Sequence, residues 1–195
     1  MAIIHPNSTI SPTKLELLAE WLPSRPWAGP GAVEKVTSYR FDDPEGEVGI
    51  EAILVRVGDQ LLHAPLTYRG APLAGADEHL ITTMQHTELG ERWVYDAIGD
   101  PVAVACFARA LRGEQTQADM ELWDDGAVVG QRDSAVRLRV DEGATSASPG
   151  DAEVLEVEDG RLCIARTIGA DLNGERRLVA AWADGEGVVA SWSSS

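Results

Sequence analysis

A two-residue turn between two strand-like runs places the strongest limit on how this chain can fold. Residues 47–57 and 60–69 are rich in Val, Ile and Leu, and only Gly58 and Asp59 separate them. A turn dipeptide between two such runs predicts a β-hairpin, and a two-residue loop fixes the register of the pair. Tyr68 is then expected to lie opposite Gly49 and to cover the backbone that glycine leaves bare.

The hairpin register predicts one core face and one partly covered face. The core face collects Val57, Val55, Ile53, Leu62, Ala64, Leu66 and Tyr68. The opposite face carries His63, Thr67 and Arg69 among apolar neighbours, so we expect it to be partly covered. Pro65 must occupy a position at which a missing N–H breaks no ladder hydrogen bond.

Two helices are predicted from capping signals and helical spacing. Ser11, followed by a proline, is expected to cap the first helix, which Pro23 ends. Its apolar positions at helical spacing are Leu15, Leu18, Ala19 and Leu22. Asp100 is expected to cap a second helix over residues 102–111, which Gly113 ends. The second helix is apolar on nearly all sides and should be well buried.

The remaining apolar runs predict short antiparallel strands. They lie at 33–41, in a hairpin over 80–95, and at 135–140, 152–157, 162–168, 177–182 and 188–192. Turn residues at 159–160 and 183–187 indicate further hairpins, and residues 141–151 a flexible surface loop. We therefore predict an α+β chain. Residues 1–114 form a curved antiparallel sheet packed on helices, and residues 115–195 form a small strand-rich antiparallel region. The sequence leaves open whether this region packs on the first or forms a separate domain.

Charge and cysteine usage narrow the class of function. The net charge is −16 and both halves of the chain are acidic, which disfavours nucleic acid and anionic membranes as partners. No run of about 18 apolar residues and no signal-peptide pattern occurs. Cys106 and Cys163 lie in apolar contexts and are expected to be reduced and buried. We therefore expect a cytoplasmic protein, and the sequence leaves its oligomeric state open.

The sequence contains no recognisable catalytic or metal-binding motif. Neither phosphate-loop pattern occurs, and the GPGAVEK run at 29–35 has the wrong spacing for a phosphate cradle. A kinase-like site needs an Asp followed closely by an Asn, but the asparagines are Asn7 and Asn173. No histidine pair has zinc-binding spacing. We therefore predict no cofactor, no metal and no catalytic residue.

Aromatic and polar side chains provide candidates for binding. Trp27 follows the first helix, Trp93 lies in the second predicted hairpin, and His63, Thr67 and Arg69 share the outer face of the first. Aromatic faces beside polar groups are typical of carbohydrate sites. The same aromatic residues in half-buried strands also serve as core packing, and the sequence leaves both interpretations open.

Three segments occur in a characteristic order. They are EWLPSRPWAG at 20–29, PLTYRGAPL at 65–73 and ERWVYDAIGDPVAV at 91–104. Together they resemble the N-terminal cap domain of actinobacterial maltokinases and related sugar kinases. The resemblance covers the first 114 residues and implies a curved antiparallel sheet against a helix. In those kinases the cap sits on an ATP-binding lobe, which a helical lobe with the phosphotransfer residues follows.

The resemblance implies architecture and not kinase activity, because no position of this chain matches the catalytic Asp, the Asn or the metal-binding Asp of the family. We expect a stand-alone, non-catalytic cap-like protein linked to α-glucan, glycogen, trehalose or maltose-phosphate metabolism. Its partner would be a sugar kinase, a glucan-metabolising enzyme or a small carbohydrate. The alternatives are a regulatory subunit of such an enzyme and a small enzyme whose site is not recognisable.

Overall fold

The computed structural model describes residues 2–4, 8–124, 127–143, 151–169 and 171–194. The helices are α1 (Lys14–Trp21) and α2 (Pro101–Arg112), and short 3-10 turns span Leu22–Ser24, Asp77–His79 and Ala97–Gly99. The strands are β1 (Ala2–Ile4), β2 (Ile10–Ser11), β3 (Val33–Phe41), β4 (Gly49–Val57), β5 (Gln60–Arg69), β6 (Leu80–His86), β7 (Gly90–Asp96), β8 (Met120–Asp124), β9 (Ala127–Arg132), β10 (Arg137–Glu142), β11 (Ala152–Val157), β12 (Gly160–Ala165), β13 (Arg176–Trp182) and β14 (Gly185–Ser193). Antiparallel strands dominate and the helices are few, so the predicted α+β class holds only loosely.

The first sheet has the order β2-β6-β7-β5-β4-β3, and its neighbouring strands are antiparallel. The predicted hairpin register is confirmed, since Gly49 pairs with Tyr68. A Cβ on Gly49 would lie 3.5 Å from the Tyr68 Cβ, so Tyr68 covers this glycine as expected. The predicted core face is also confirmed, because it packs against Leu17 and Leu18 of α1.

The cap of α1 differs from the prediction. Thr13, not Ser11, caps the helix: its hydroxyl accepts from the Glu16 N–H at 3.3 Å, and the Glu16 carboxylate accepts from the Thr13 N–H at 2.8 Å. Ser11 lies instead in β2, where it pairs with Gln85 of β6. The helix therefore begins later than predicted, and Leu15 is 39% exposed.

The second helix agrees with the prediction. Asp100 caps α2 by accepting a hydrogen bond from the Val102 N–H at 3.0 Å. Gly113 ends the helix in the left-handed conformation, with a φ of 79°, which favours glycine. The helix buries six side chains, namely Ala103, Cys106, Phe107, Ala108, Ala110 and Leu111.

The second half of the chain forms the predicted antiparallel sheet, with the order β10-β13-β14-β12-β11. The turn between β11 and β12 lies one residue earlier than predicted, because Val157 pairs with Gly160. A third sheet, β1-β8-β9, was not predicted. Most of the predicted loop at 141–151 lies outside the described residues.

Helix α2 lies between the two larger sheets and gives them a common core. This core joins Leu54 of β4, Phe107 of α2 and Leu178 of β13. The face of β5 that was expected to be partly covered is therefore covered by α2 and the second sheet. Described residues of the second sheet contact the first region through this core, and the division of the chain into 1–114 and 115–195 stays a prediction.

Candidate functional site

His63 lies in the interior, where both nitrogens of its ring are engaged. Nδ1 lies 2.9 Å from the Ala165 carbonyl oxygen, which can only accept, so Nδ1 donates. Nε2, 3.0 Å from the Tyr39 hydroxyl, then accepts in the neutral ring. Burial, reinforced by the charge of Arg166, lowers the pKa of His63 to about 4, although the bond to Ala165 opposes this shift. His63 is thus a neutral link between β5 and β12.

Thr67 and Arg69 continue along the same face of β5. Thr67 is fully buried, and Arg69 donates two hydrogen bonds of 2.7 Å to the carboxylate of Asp100. Because Asp100 also caps α2, Arg69 fixes the start of that helix against the sheet. Trp93 pairs with Arg69 across β5 and β7 and is half-buried.

Trp27 lies on the other side of the first sheet. Its ring contacts Trp21 edge-on at 5.7 Å, and the guanidinium of Arg166 lies 4.9 Å from the ring centroid. Arg166 is itself buried and donates hydrogen bonds of 3.1 and 2.6 Å to the carboxylate of Asp96.

A ligand could reach His63 or Thr67 only if the common core opened. A binding role for any of the five predicted residues stays a prediction.

Pro65 lies where the outer side of β5 changes partner. Two residues before Pro65, the His63 N–H donates to the Arg166 carbonyl at 2.8 Å, so this side of β5 pairs with residues 166–168. From Leu66 onwards, the same side pairs with β7. The missing N–H of Pro65 falls in the gap between these partners, which is the harmless position that the sequence required.

A polar pocket lies at the end of the core face, beside the start of α1. Along three strands, the side chains that face α1 change from apolar to polar at the same end of the sheet. The changes run from Ile53 to Glu51 in β4, from Leu66 to Tyr68 in β5 and from Val94 to Arg92 in β7. They create a cavity of about 520 Å³, here called the α1 pocket. Its lining includes Lys14, Arg40, Glu51, Tyr68, Arg92 and His86, with apolar walls from Ile10, Phe41, Val48, Ile50 and Met84.

Glu51 is the buried carboxylate of the α1 pocket, and two cations neutralise it. Lys14 donates a hydrogen bond to it, and Arg40 lies 3.4 Å from the same oxygen. Burial alone would raise the pKa of Glu51, but the charges of Lys14 and Arg40 outweigh burial and lower it to about 2. Burial lowers the pKa of Lys14, partly offset by Glu51. The Lys14 ammonium also lies 5.4 Å from the centroid of the Tyr68 ring.

Two buried polar atoms of the α1 pocket have no hydrogen-bond partner in the described part of the chain. They are the hydroxyl oxygen of Tyr68 and Nε of Arg92. Burial, followed by the charge of Glu51, raises the pKa of Tyr68 well above its usual value, so the hydroxyl stays protonated. Gly70 lets Arg92 lie against the strand, because a Cβ there would fall 2.6 Å from Nη1. Buried donors without acceptors are rare and mark sites where a bound group can supply them.

The rim of the α1 pocket is a turn that follows β3. The carboxylate of Asp43 accepts the backbone N–H groups of Glu45, Glu47 and Val48, at 3.1, 3.0 and 2.9 Å. This carboxylate is therefore satisfied within its own turn. On the opposite rim, Nδ1 of His86 accepts from two backbone N–H groups, each at 3.2 Å.

Across the ranges that the structure describes, no three His, Cys, Asp or Glu side chains group as metal ligands. Cys106 and Cys163 are buried and unpaired, and burial raises the pKa of both thiols. No helix in the described ranges is long and apolar enough to cross a membrane.

The fold and the α1 pocket define a cap-like module, a curled antiparallel sheet with one helix over an open polar end. Residues 21–100 match the family model of the maltokinase N-terminal cap domain. The resemblance predicted from sequence is thereby confirmed for this segment, which is a cap-like module related to maltokinase. The match spans Arg40, Glu51, Tyr68 and Arg92, whereas Lys14 precedes it. No curated protein matches the chain.

Sequence reasoning placed Tyr68 correctly on the core face but missed the α1 pocket. The available signal was the coincident change from apolar to polar residues at alternate positions of β4, β5 and β7. This signal can be recognised only when the pairing of β5 with β7 is known. No short turn predicts that pairing, because residues 70–79 separate β5 from the hairpin of β6 and β7.

Proposed function

We propose that this protein is a non-catalytic, cap-like binding module that holds a small carbohydrate ligand in the α1 pocket. The observation that carries the proposal is a pair of buried donors, Tyr68 Oη and Arg92 Nε, that have no partner among the described residues and lie within the segment that matches the cap family. The family relation supports a setting in the cytoplasm, in α-glucan, trehalose or maltose-phosphate metabolism.

The composition of the α1 pocket suits a polyhydroxylated ligand. Apolar walls such as Met84 and Ile10 lie beside donors and an acceptor fixed by ion pairs, so a ring could contact the walls while its oxygens meet the charged groups. A volume of about 520 Å³ is within the range of small-molecule sites.

Isothermal titration calorimetry and thermal shift against maltose, trehalose, glucosamine, their phosphates and ATP would test this proposal. We expect saturable binding of at least one sugar or sugar phosphate, which Tyr68→Phe weakens. Arg112→Gln is the control, since Arg112 is 41% exposed at the end of α2 and pairs only with Glu114. A coupled assay that detects ATP-dependent phosphorylation of a sugar by the pure protein would contradict the non-catalytic role.

A second candidate is a regulatory subunit of a sugar kinase or glucan-modifying enzyme. The edge strand β9 favours it, because Val128 and Val129 are 48% and 61% exposed there. Co-purification from native extract separates the candidates. A stable complex that charged substitutions at both valines disrupt supports regulation, and a monomer whose melting temperature responds to sugar supports ligand binding.

A further inference from the structure

We infer that the α1 pocket recognises an oxyanion of its ligand, a carboxylate or a phosphate group, through Arg92 and Tyr68. The inference rests on the proposed binding function and specifies the chemical class of the ligand. The charges of the pocket that are already compensated, and the donors that have no acceptor, decide which chemical class of ligand the pocket can hold.

The inner end of the pocket holds three cations and one carboxylate. Lys14 and Arg40 both contact Oε2 of Glu51, so the negative charge of this carboxylate is already compensated. Arg92 has no ion pair, and its buried Nε has no acceptor in the ranges that the structure describes. A partly buried guanidinium without a counter-charge loses hydration, and a bound anion offsets that cost.

The chemistry of the two unpartnered groups selects an acceptor. Arginine has only donors, and its planar fork matches the paired oxygens of a carboxylate or phosphate. The Tyr68 hydroxyl can donate alongside it. A neutral sugar hydroxyl could accept either hydrogen bond, but it would leave the charge of Arg92 uncompensated, whereas an oxyanion satisfies both requirements.

The rim limits how much negative charge can enter. Asp42, Asp43 and Glu47 line the outer part of the pocket, and Asp43 is held by its backbone contacts. These carboxylates repel polyanions. A singly charged sugar acid or a sugar monophosphate therefore fits the arrangement better than ATP.

Calorimetry at constant ionic strength with four probes tests the inference: glucose, glucuronate, glucose 6-phosphate and inorganic phosphate. We expect glucuronate or glucose 6-phosphate to bind at least about tenfold more tightly than glucose, as a charge-assisted pair implies. Arg92→Gln should abolish this preference, and Tyr68→Phe should reduce it about fivefold. Arg112→Gln should leave it unchanged.

Stability provides a readout that does not depend on the probe. Without ligand, Arg92→Gln should melt at the same temperature as the parent chain or higher, because it removes a partly buried charge that has no ion pair in the described part of the chain. A large loss of stability would show that Arg92 is structural and would overturn the inference.

The outcomes separate the inference from the function on which it rests. If glucose and glucuronate bind equally and Arg92→Gln changes neither, the oxyanion inference is wrong and the binding function stands. If neither these four probes nor maltose, trehalose, glucosamine and their phosphates shift the Nε–H resonance of Arg92 at millimolar concentration, both are wrong. Preferential binding of ATP would contradict the role given to the acidic rim.

Discussion

The buried neutral state of His63 predicts a specific loss of stability in mild acid. Its pKa is about 4 in the folded chain, against an ordinary value of 6.5. Below pH 6.5 the unfolded chain therefore binds a proton that the folded chain excludes, so stability falls as the pH falls from 6.5 through 4 and then levels off. Linkage gives a loss of about 2 kcal/mol between pH 8 and pH 5, and about 3 kcal/mol by pH 4.

The matched variant is His63→Gln, whose amide can donate to the Ala165 carbonyl and accept from the Tyr39 hydroxyl but does not titrate. In urea unfolding at a series of pH values, the free energy of unfolding of His63→Gln should depend less on pH than that of the parent chain. The difference in free energy of unfolding between the two chains should shrink by about 2 kcal/mol between pH 8 and pH 5. His79→Gln, at a partly exposed site, should keep the parent's pH dependence. Parallel curves for the parent and His63→Gln would refute the assignment of a neutral, doubly bonded ring.

Three further predictions concern buried charges. Asp96→Asn should cost about 3 kcal/mol in urea unfolding, because it removes the paired bonds to the buried Arg166 and leaves that guanidinium with Glu153, 3.4 Å from its Nε. Adding Arg166→Met should recover part of that loss, and strictly additive losses would contradict the pairing. Arg69→Ala should cost about 1.5–3 kcal/mol while ligand affinity is unchanged, since it removes the bonds to Asp100 that hold the start of α2; an unchanged melting temperature would refute this. Glu51 contributes stability above pH 4.5 that is lost as the pH falls from 4.5 through 2, and Glu51→Gln should lack this loss in acid unfolding curves.

Local signals predicted those parts of the fold that short turns and caps determine. The dipeptide at 58–59 fixed the register of β4 and β5 along their whole length, and Asp100 and Gly113 marked the two ends of α2. These elements depend on contacts between residues close in sequence, so their patterns are visible without the tertiary structure.

Sequence patterns gave wrong or missing predictions where a residue distant in sequence determines the local structure. Ser11 has the composition of a cap, but its backbone pairs with β6, so Thr13 takes that role. Strands β8 and β9 went unpredicted because both are short, and β8 pairs in parallel with β1, a partner more than 100 residues away in sequence. The covering of His63 likewise depends on Ala165, 102 residues away.

The two faces of the first sheet differ in how their polar side chains are partnered. On the face of His63 and Arg69, the Ala165 carbonyl binds His63 and the carboxylate of Asp100 binds Arg69, so substitutions of these two residues should change stability. On the opposite face, α1 covers only the apolar part, and Tyr68 and Arg92 remain without acceptors beyond its end. Helix α2 and strands β10 to β14 bury much of the first face, whereas the α1 pocket lies on the second. Substitutions of Tyr68 or Arg92 should therefore alter affinity without altering the common core, whereas substitutions of Arg69 should alter stability.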